Sequence, residues 1–382
     1  MIPYGRQDIT PADIDAVIDV LRSDFLTQGP TVPRFEQTLV DYTGAAHAVA
    51  TSSATAALHL ACLALDVGQG DVVWTSPITF VASANCARYC GAIVEFVDVE
   101  PDTGNMSVKA LAHKLEAARE HGRLPKVVIP VHLTGRPCDM ESVARLAREF
   151  DFRVIEDASH AVGATYDGEP VGSCAYSDIS IFSFHPVKIV TTGEGGAALT
   201  NDAELSDRMS LLRSHGITRD EELMQSPSHG PWYYQQIELG FNYRLTDVQA
   251  ALGVSQIARL DAYVDRRNEL AVIYDDLLAG LDVATPPPIE PEARSSYHLY
   301  VVRVGQDRRA VFERLRADGI GVNVHYIPVH LQPYYQRFEG IGEGLSGSMQ
   351  FYEAAITIPL YPTMAEGSQR EVVEALTRAL TT

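Results

Sequence analysis

Strand-like and helix-like segments alternate up to about residue 200, which predicts an α/β fold with a mainly parallel central sheet in a large domain and a smaller C-terminal α+β domain. Two observations carry this. Short apolar runs are each followed by a turn or helix signal, and a stiff connector, Thr285-Pro286-Pro287-Pro288-Ile289-Glu290-Pro291, separates two differently patterned regions. With 382 residues, 46% of them hydrophobic and 21% charged, the chain can bury a large core and is long enough for two domains. The expected division is 1–250 for the large domain and 251–382 for connecting helices and the small domain.

The first helix opens at Thr10-Pro11-Ala12-Asp13, which supplies a cap, a proline at the first helical position and an acid in the first turn. Ile14, Val17, Ile18 and Leu21 then fall on one face. Val72-Val73-Trp74, the run 93–97, the run 127–131 and Val154-Ile155-Glu156 read as strands, and the alternation in 178–182 reads as a half-buried one. From about 250 to 280, Leu252, Ile257, Leu260, Val264, Leu270, Ile273 and Leu277 predict long helices. Beyond the connector, the run 297–302, a helix near 307–318, a strand over 321–326 and a last helix near 366–380 make the small domain.

A formal net charge of −20 and a pI near 4.9 exclude nucleic acid as the expected partner, since a phosphate backbone is met by basic surface. Any anionic substrate must then be held by local dipoles and a few arginines. The start of the chain lacks an apolar leader and no later stretch is long and apolar enough to span a bilayer, so a cytoplasmic protein with no membrane partner is expected. Cys62, Cys86, Cys90, Cys138 and Cys174 are odd in number and lack metal-type spacing; they read as free, mostly buried thiols, with no metal expected. Cys86 and Cys90 can share a helix face, where packing is the expected role.

The chemistry centres on Phe182-Ser183-Phe184-His185-Pro186-Val187-Lys188, followed by Thr191-Thr192-Gly193-Glu194-Gly195-Gly196. Read alone, Lys188 is one more solvated charge. At a strand-to-loop edge followed by glycines, however, it can be partly desolvated, which lowers its pKa and frees an amine to attack an aldehyde, the attachment used by pyridoxal phosphate enzymes. Asp157 and His160 follow the apolar strand ending at Glu156, at the carboxyl edge where open α/β sheets place ligands. Asp157 can hold a pyridine nitrogen protonated or simply cap the next helix. The turn Thr51-Ser52-Ser53-Ala54-Thr55 opens a helix whose amides, with the hydroxyls of Ser53 and Thr55, can bind phosphate, although capping serines and threonines are common. Asn242 and Arg244 lie between apolar residues in Gly240-Phe241-Asn242-Tyr243-Arg244, just before a helix.

In this order and spacing, these motifs resemble the DegT/DnrJ/EryC1/StrS family of pyridoxal-phosphate sugar aminotransferases over nearly the whole chain. The resemblance implies fold type I, pyridoxal 5′-phosphate with pyridoxamine 5′-phosphate as its aminated form, and a homodimer with shared active sites. Ser23-Asp24-Phe25-Leu26-Thr27-Gln28-Gly29-Pro30, Ser53-Ala54-Thr55 and Val324-His325-Tyr326-Ile327-Pro328 resemble the branch of pseudaminic acid biosynthesis that aminates C4 of a UDP-linked 4-keto-6-deoxy-2-acetamido sugar with L-glutamate.

Position by position, the resemblance implies that Lys188 carries the cofactor as a Schiff base and shuttles the proton. Asp157 pairs with the pyridine nitrogen, His160 lies near the ring hydroxyl, and Phe80 stacks on the ring. Ser53, Ala54, Thr55 and Ser183 take the phosphate, with Asn242 reaching it from the neighbouring subunit. Tyr4, Asp24, Phe25, Leu26, Thr27, Ala54, Ser183, Asn242, Val324, His325, Tyr326 and Ile327 match sugar-nucleotide contacts. Rival readings are an aminotransferase for a dTDP sugar or for C3, and a non-catalytic cofactor-binding regulator. A pyridoxamine-dependent dehydratase is disfavoured, because that branch has histidine where this chain has Lys188.

Overall fold

The computed structural model describes residues 1–305 and 307–381. Its scaffold is a seven-stranded sheet of β1 (His47–Thr51), β2 (Val72–Thr75), β3 (Ile93–Phe96), β4 (Val127–Ile129), β5 (Arg153–Asp157), β6 (Ile179–Ser183) and β7 (Gly196–Thr200), in the order β1-β7-β6-β5-β4-β2-β3. Neighbours from β3 to β6 run parallel, while β7 runs antiparallel between β6 and β1. The inner strands are apolar on both faces because helices cover both.

The helices are α1 (Pro11–Leu21), α2 (Thr31–Thr43), α3 (Ala54–Ala64), α4 (Ala82–Tyr89), α5 (Val108–Glu120), α6 (Met140–Phe150), α7 (Ala203–Arg213), α8 (Asp247–Ile257), α9 (Leu260–Leu278), α10 (Arg308–Ala317), α11 (Ser346–Ala354) and α12 (Ser368–Leu380). α3, α4 and α7 bury Leu58, Leu60, Cys86 and Met209 against Val73, Ile129, Ile155 and Ile181. On the other face α5 and α6 bury Leu111, Leu115, Leu146 and Phe150 against Trp74, Val128 and Val154. Beyond the connector, β8 (Val283–Ala284), β9 (Tyr300–Val304) and β10 (Ala355–Ile358) form an antiparallel sheet with its own core of Tyr274, Val302, Leu315, Ile356 and Leu376.

The early part of α9, at Leu260 and Val264, belongs to the core under β6 and β7, and its later part, at Leu270 and Tyr274, to the small-domain core. We propose the division at 250 as the working one, with α8 and the first half of α9 packed on the large domain. The N-terminal residues run the opposite way. Ile2 bridges Ile320, and Leu360 N–H donates to the Tyr4 carbonyl at 3.1 Å, so Tyr4 is carried by the small domain.

Two sequence expectations are corrected. On α1, Ile14 and Leu21 are more than half exposed, while Asp13 is fully buried. Its carboxylate accepts from Thr10, from Gln256 Nε2 at 3.0 Å and from Arg259 at 2.7 Å, so a polar anchor to α8 fixes the helix with Val17 and Ile18 half-buried and Ile14 and Leu21 facing outward. Residues 321–326 form no strand. Asn323 makes a single bridge to Thr357, and the irregular backbone frees its neighbours from strand alternation.

The start of α2 hangs on Asp247, whose fully buried carboxylate accepts from the amides of Gly29 (2.7 Å), Thr31 (2.7 Å) and Val32 (3.2 Å). Asp247→Ala strands three amides, and urea denaturation is expected to register a loss of about 3 kcal/mol; a loss under about 1 kcal/mol would show that these bonds are not needed.

Candidate active site

β1, β5 and β6 end at the same edge of the sheet, at Thr51, Asp157 and Ser183, and Gly196 of β7 lies in register with both Thr51 and Ser183. This edge borders a cavity of about 500 Å³. The chain after β6 folds into a closed loop, with Phe184 N–H donating to Gly195 O (2.9 Å) and Thr192 N–H to Phe184 O (3.0 Å), and Gly193 supplies the positive φ of 83° that its turn requires. Lys188 projects from this loop into the cavity.

Part of the Lys188 side chain remains open to the cavity, yet protein surrounds the amine, and burial brings its pKa down to about 8 despite the opposing pull of Asp157. Asp157 is buried, with Oδ2 accepting from Ser83 Oγ at 2.6 Å and Oδ1 from Ser159 N–H at 3.1 Å. Ser83 in turn shares a 2.7 Å hydrogen bond with Thr79 Oγ1. Phe80, one residue beyond Thr79, turns outward and is 59% exposed at the cavity wall, so it is no core phenylalanine.

The α3 N-terminus forms another wall. Ser53 is its cap, accepting from Ala56 N–H at 3.1 Å, and Ala54 and Thr55 open the helix. A Cβ on Gly196 would lie 2.4 Å from the Ala54 nitrogen, so only glycine lets β7 come this close to the cap. From the small domain come His298, Asn323, His325 and Tyr326, with Tyr4 5.4 Å from the His325 ring. His160 Nε2 lies 3.0 Å from Tyr326 Oη, and its ring centroid is 4.5 Å from that of His298. Burial, and then the charge of Lys188 with its neighbouring imidazoles, holds His160 well below the ordinary histidine range; burial and Lys188 bring His325 down to about 3. Burial raises Tyr326, which therefore keeps its proton.

Of the residues singled out from sequence, Lys188, Asp157, His160, Ser53, Ala54, Thr55, Phe80, Ser183, Tyr4, His325 and Tyr326 meet at this one cavity. Others stand apart. Asn242 is exposed and pairs with Ser214, Ile327 is exposed, Val324 is half-buried and does not line the cavity, and Asp24, Phe25, Leu26 and Thr27 form an exposed segment before α2. Among the described residues no arginine lines the cavity; Arg88 instead donates to Ala92 O and covers the Phe338 ring. Sequence reasoning misses Ser83, His298 and Asn323. Ser83 carries a readable signal, four residues after Thr79 on the turn of helix that follows Phe80, whereas nothing local marks His298.

These residues fit pyridoxal phosphate. A buried carboxylate, an exposed aromatic face, an uncluttered helix N-terminus and a desolvated amine border one space, and His160 Nδ1 is buried there without a partner. Comparison with known proteins agrees. The model of the "DegT/DnrJ/EryC1/StrS aminotransferase family" matches residues 7–377. A Campylobacter jejuni protein named UDP-4-amino-4,6-dideoxy-N-acetyl-beta-L-altrosamine transaminase is 39% identical over 370 residues, covering 95% of this chain and 93% of its own. Among solved structures, Helicobacter pylori PseC, described as an aminotransferase involved in the biosynthesis of pseudoaminic acid, superposes with a TM-score of 0.90 at 30% identity, over 99% of each chain. The Streptococcus pneumoniae putative sugar aminotransferase Spr1654 in its PLP form gives 0.89 at 30% identity, over 99% of this chain and 98% of its own.

The fold and family are those of a pyridoxal-phosphate-dependent aminotransferase. The chain belongs to the DegT/DnrJ/EryC1/StrS family of sugar aminotransferases.

Only a neutral amine attacks an aldehyde, so the rate at which the unliganded protein takes up pyridoxal phosphate, followed by absorbance, is expected to rise with pH and level off above about 8 rather than 10.5. Between those values the folded chain binds fewer protons than the unfolded one, so its stability also rises with pH across that window, and Lys188→Met removes the rise. An uptake midpoint near 10.5 would mean that Lys188 is not desolvated.

Proposed function

We propose that this aminotransferase moves the amino group of L-glutamate to the C4 ketone of UDP-2-acetamido-2,6-dideoxy-β-L-arabino-hexos-4-ulose, giving UDP-4-amino-4,6-dideoxy-N-acetyl-β-L-altrosamine. The observation that supports it most is the meeting of Lys188, Asp157 and the α3 N-terminus at one cavity that Tyr4, His325 and Tyr326 enter from the small domain. The names of the Campylobacter and Helicobacter relatives support the choice of sugar.

Bound pyridoxal phosphate supplies an aldehyde that takes up an amine and a cationic ring that accepts the electron pair left when a C–H proton departs. Asp157, fixed by Ser83 and Ser159, would keep the ring nitrogen protonated. Phe80 would face the ring, and the amides of Ala54 and Thr55 with the hydroxyls of Ser53 and Ser183 would hold the phosphate. Lys188 Nζ removes the proton from Cα of glutamate and, in the second half of the cycle, delivers one to C4 of the sugar. A pKa near 8 suits both directions, since the amine is then neither firmly protonated nor a weak acid. Tyr326 stays protonated and offers a donor to the sugar without adding charge, while the neutral His325, with Nε2 3.3 Å from Asn323 Nδ2 and Nδ1 2.8 Å from Thr357 Oγ1, is held in place beside it.

The site is completed by a second copy of the chain. Asn242 is exposed and away from its own cavity, and the exposed apolar residues Ile14, Leu21, Phe25 and Leu26 supply a surface for a partner. In that homodimer Asn242 reaches the neighbouring phosphate, and the segment 24–27 reaches the neighbouring sugar nucleotide.

Mass spectrometry of the product, with the UDP-linked 4-keto sugar and its dTDP-glucose-derived counterpart offered in parallel, is expected to show amination of the UDP sugar alone; amination of the dTDP sugar alone would replace the acceptor, and neither product would favour a non-catalytic role. Lys188→Ala is expected to lower turnover at least roughly 10³-fold. Ser83→Ala, which unpins Asp157, is expected to weaken cofactor binding about tenfold, with Ser83→Thr restoring it, as followed by fluorescence titration; unchanged affinity in both would remove Ser83 from the site. Mixed Lys188→Ala and Asn242→Ala subunits are expected to regain part of the activity, and no regain would keep Asn242 out of the shared site.

A further inference from the structure

We propose that Arg267 is a positioning residue for the sugar half of the reaction, its buried guanidinium fixing the backbone of His298 and, through Leu360, that of Tyr4 where these two residues line the cavity. The inference rests on the reading of that cavity as an aminotransferase site whose acceptor sugar is held from the small-domain side. Arg267 lies on α9 three residues after Val264 of the large-domain core and three before Leu270 of the small-domain core, so it stands where the helix passes from one to the other. It is 2% exposed and does not itself line the cavity.

The helix brings the guanidinium to one end of the small sheet. β9 and β10 stay in register as far as Tyr300 and Ile358, and beyond that pair their chains part. Arg267 Nη1 donates to the carbonyls of Tyr297 (3.1 Å), His298 (3.2 Å) and Leu360 (3.0 Å), and so joins both parting chains to α9. Each chain serves the cavity. His298 lines it directly, and Leu360 N–H donates to the Tyr4 carbonyl at 3.1 Å. Neighbouring bonds hold the same stretch, with Asn268 Nδ2 donating to Ser295 O at 3.0 Å, Ser296 Oγ to His160 O at 2.9 Å and Ser296 N–H to Gly135 O at 3.1 Å. A Cβ on Gly135 would stand 2.4 Å from Ser296 Oγ and 3.0 Å from the His298 nitrogen, so the stretch has no room to shift toward it. Tyr297 takes a positive φ of 44°, which a tyrosine keeps only where its surroundings enforce it.

A buried cation without a counter-ion is costly. Among the described residues no carboxylate pairs with Arg267, burial draws its pKa down to about 10 with no opposing charge, and its Nε is buried without a partner. It stays protonated at neutral pH all the same. A charged donor binds carbonyls more strongly than a neutral one, and a planar guanidinium reaches carbonyls of two chains at once, which an apolar side chain filling the same space does not. The groups of the cofactor half, Lys188, Asp157, Ser83 and the start of α3, sit on the large domain, and the bonds printed on Asp157 and Ser53 come from that domain alone. Releasing the three carbonyls therefore moves Tyr4 and His298 against a cofactor site that stays in place. Affinity for the sugar nucleotide falls, while glutamate chemistry at Lys188 does not change.

The test compares Arg267→Met and Arg267→Lys with the wild type. Conversion of the pyridoxal-phosphate-loaded protein by L-glutamate, followed by absorbance, is expected to keep its rate within about twofold, whereas KM for the keto sugar that the wild type aminates rises about tenfold in Arg267→Met with kcat changed less. Arg267→Lys keeps the charge and three donors on a shorter reach and is expected to recover part of the loss. Hydrogen exchange of the unloaded chain, read by mass spectrometry, is expected to quicken at 1–6, 295–302 and 358–362 and to stay unchanged at 153–160 and 183–196. If Arg267→Met does not fold, the same split between sugar KM and glutamate rate in Arg267→Lys is the criterion. Equal loss in both half-reactions, or faster exchange along the whole chain, would reduce Arg267 to a stabilising role, and an unchanged sugar KM would overturn the proposal. A wild type that aminates neither the UDP nor the dTDP keto sugar would strike the acceptor reading instead, and the exchange pattern would then decide for or against Arg267.

Discussion

A carboxylate buried at the end of β5 is the constraint to which the rest of the site is fitted. Asp157 is drawn out of water and given two fixed donors, Ser83 from α4 and the amide of Ser159. A buried charge of this kind is tolerable only where its hydrogen bonds are fixed in advance. The strand carrying it is secured from the opposite face as well: Glu156 accepts from His132 Nε2 at 2.9 Å, and Cys138 N–H donates to His132 Nδ1 at 3.0 Å, which leaves the imidazole a single, defined tautomer. His132 N–H also donates to the Asp157 carbonyl at 3.1 Å. β4, β5 and α4 are therefore locked around one side chain, and a shift in any of them moves it.

Lys188 depends on the same arrangement in the opposite sense. Desolvation favours its neutral form, and Asp157 limits how far that goes, so its amine settles between a surface lysine and a fully buried one. The surrounding imidazoles leave that balance undisturbed because His160, His298 and His325 are all held neutral, first by burial and then by the nearby positive charge. Of Lys188 and these three histidines, only the amine changes charge near pH 8.

What was legible in the sequence follows from how local each signal is. Asp157 at the end of an apolar run, Ser53 before a helical stretch and Lys188 after an alternating strand are each marked by a few neighbours, and all three lie where their local pattern puts them. The outward face of α1 was not legible, because its orientation comes from Asp13 bonding to Gln256 and Arg259, more than 240 residues away. The segment 321–326 reads as a strand by composition, yet its conformation is decided by the cavity it borders and by the N-terminal residues, with Gly321 N–H donating to Ile2 O at 2.7 Å. His298 enters the site only through the packing of two domains, which no window of sequence encodes.

The acidic chain also has to accept anionic ligands. With a net charge of −20 and no arginine among the described residues lining the cavity, attraction at long range is not available from this chain's own side chains. The remaining positive character is short-ranged: the amides at the start of α3 and the Lys188 amine. Dipoles of this kind act only at contact, so they would select an anion by its fit to the turn rather than gather anions from solution. The close approach of Gly196 to Ala54 makes that contact surface rigid, since a Cβ at Gly196 would force the first turn of α3 away from β7 and with it the amides that point into the cavity. For the phosphate placement proposed above, shape at this turn, rather than net charge, is therefore what would let a strongly acidic protein hold an anionic group beside its lysine.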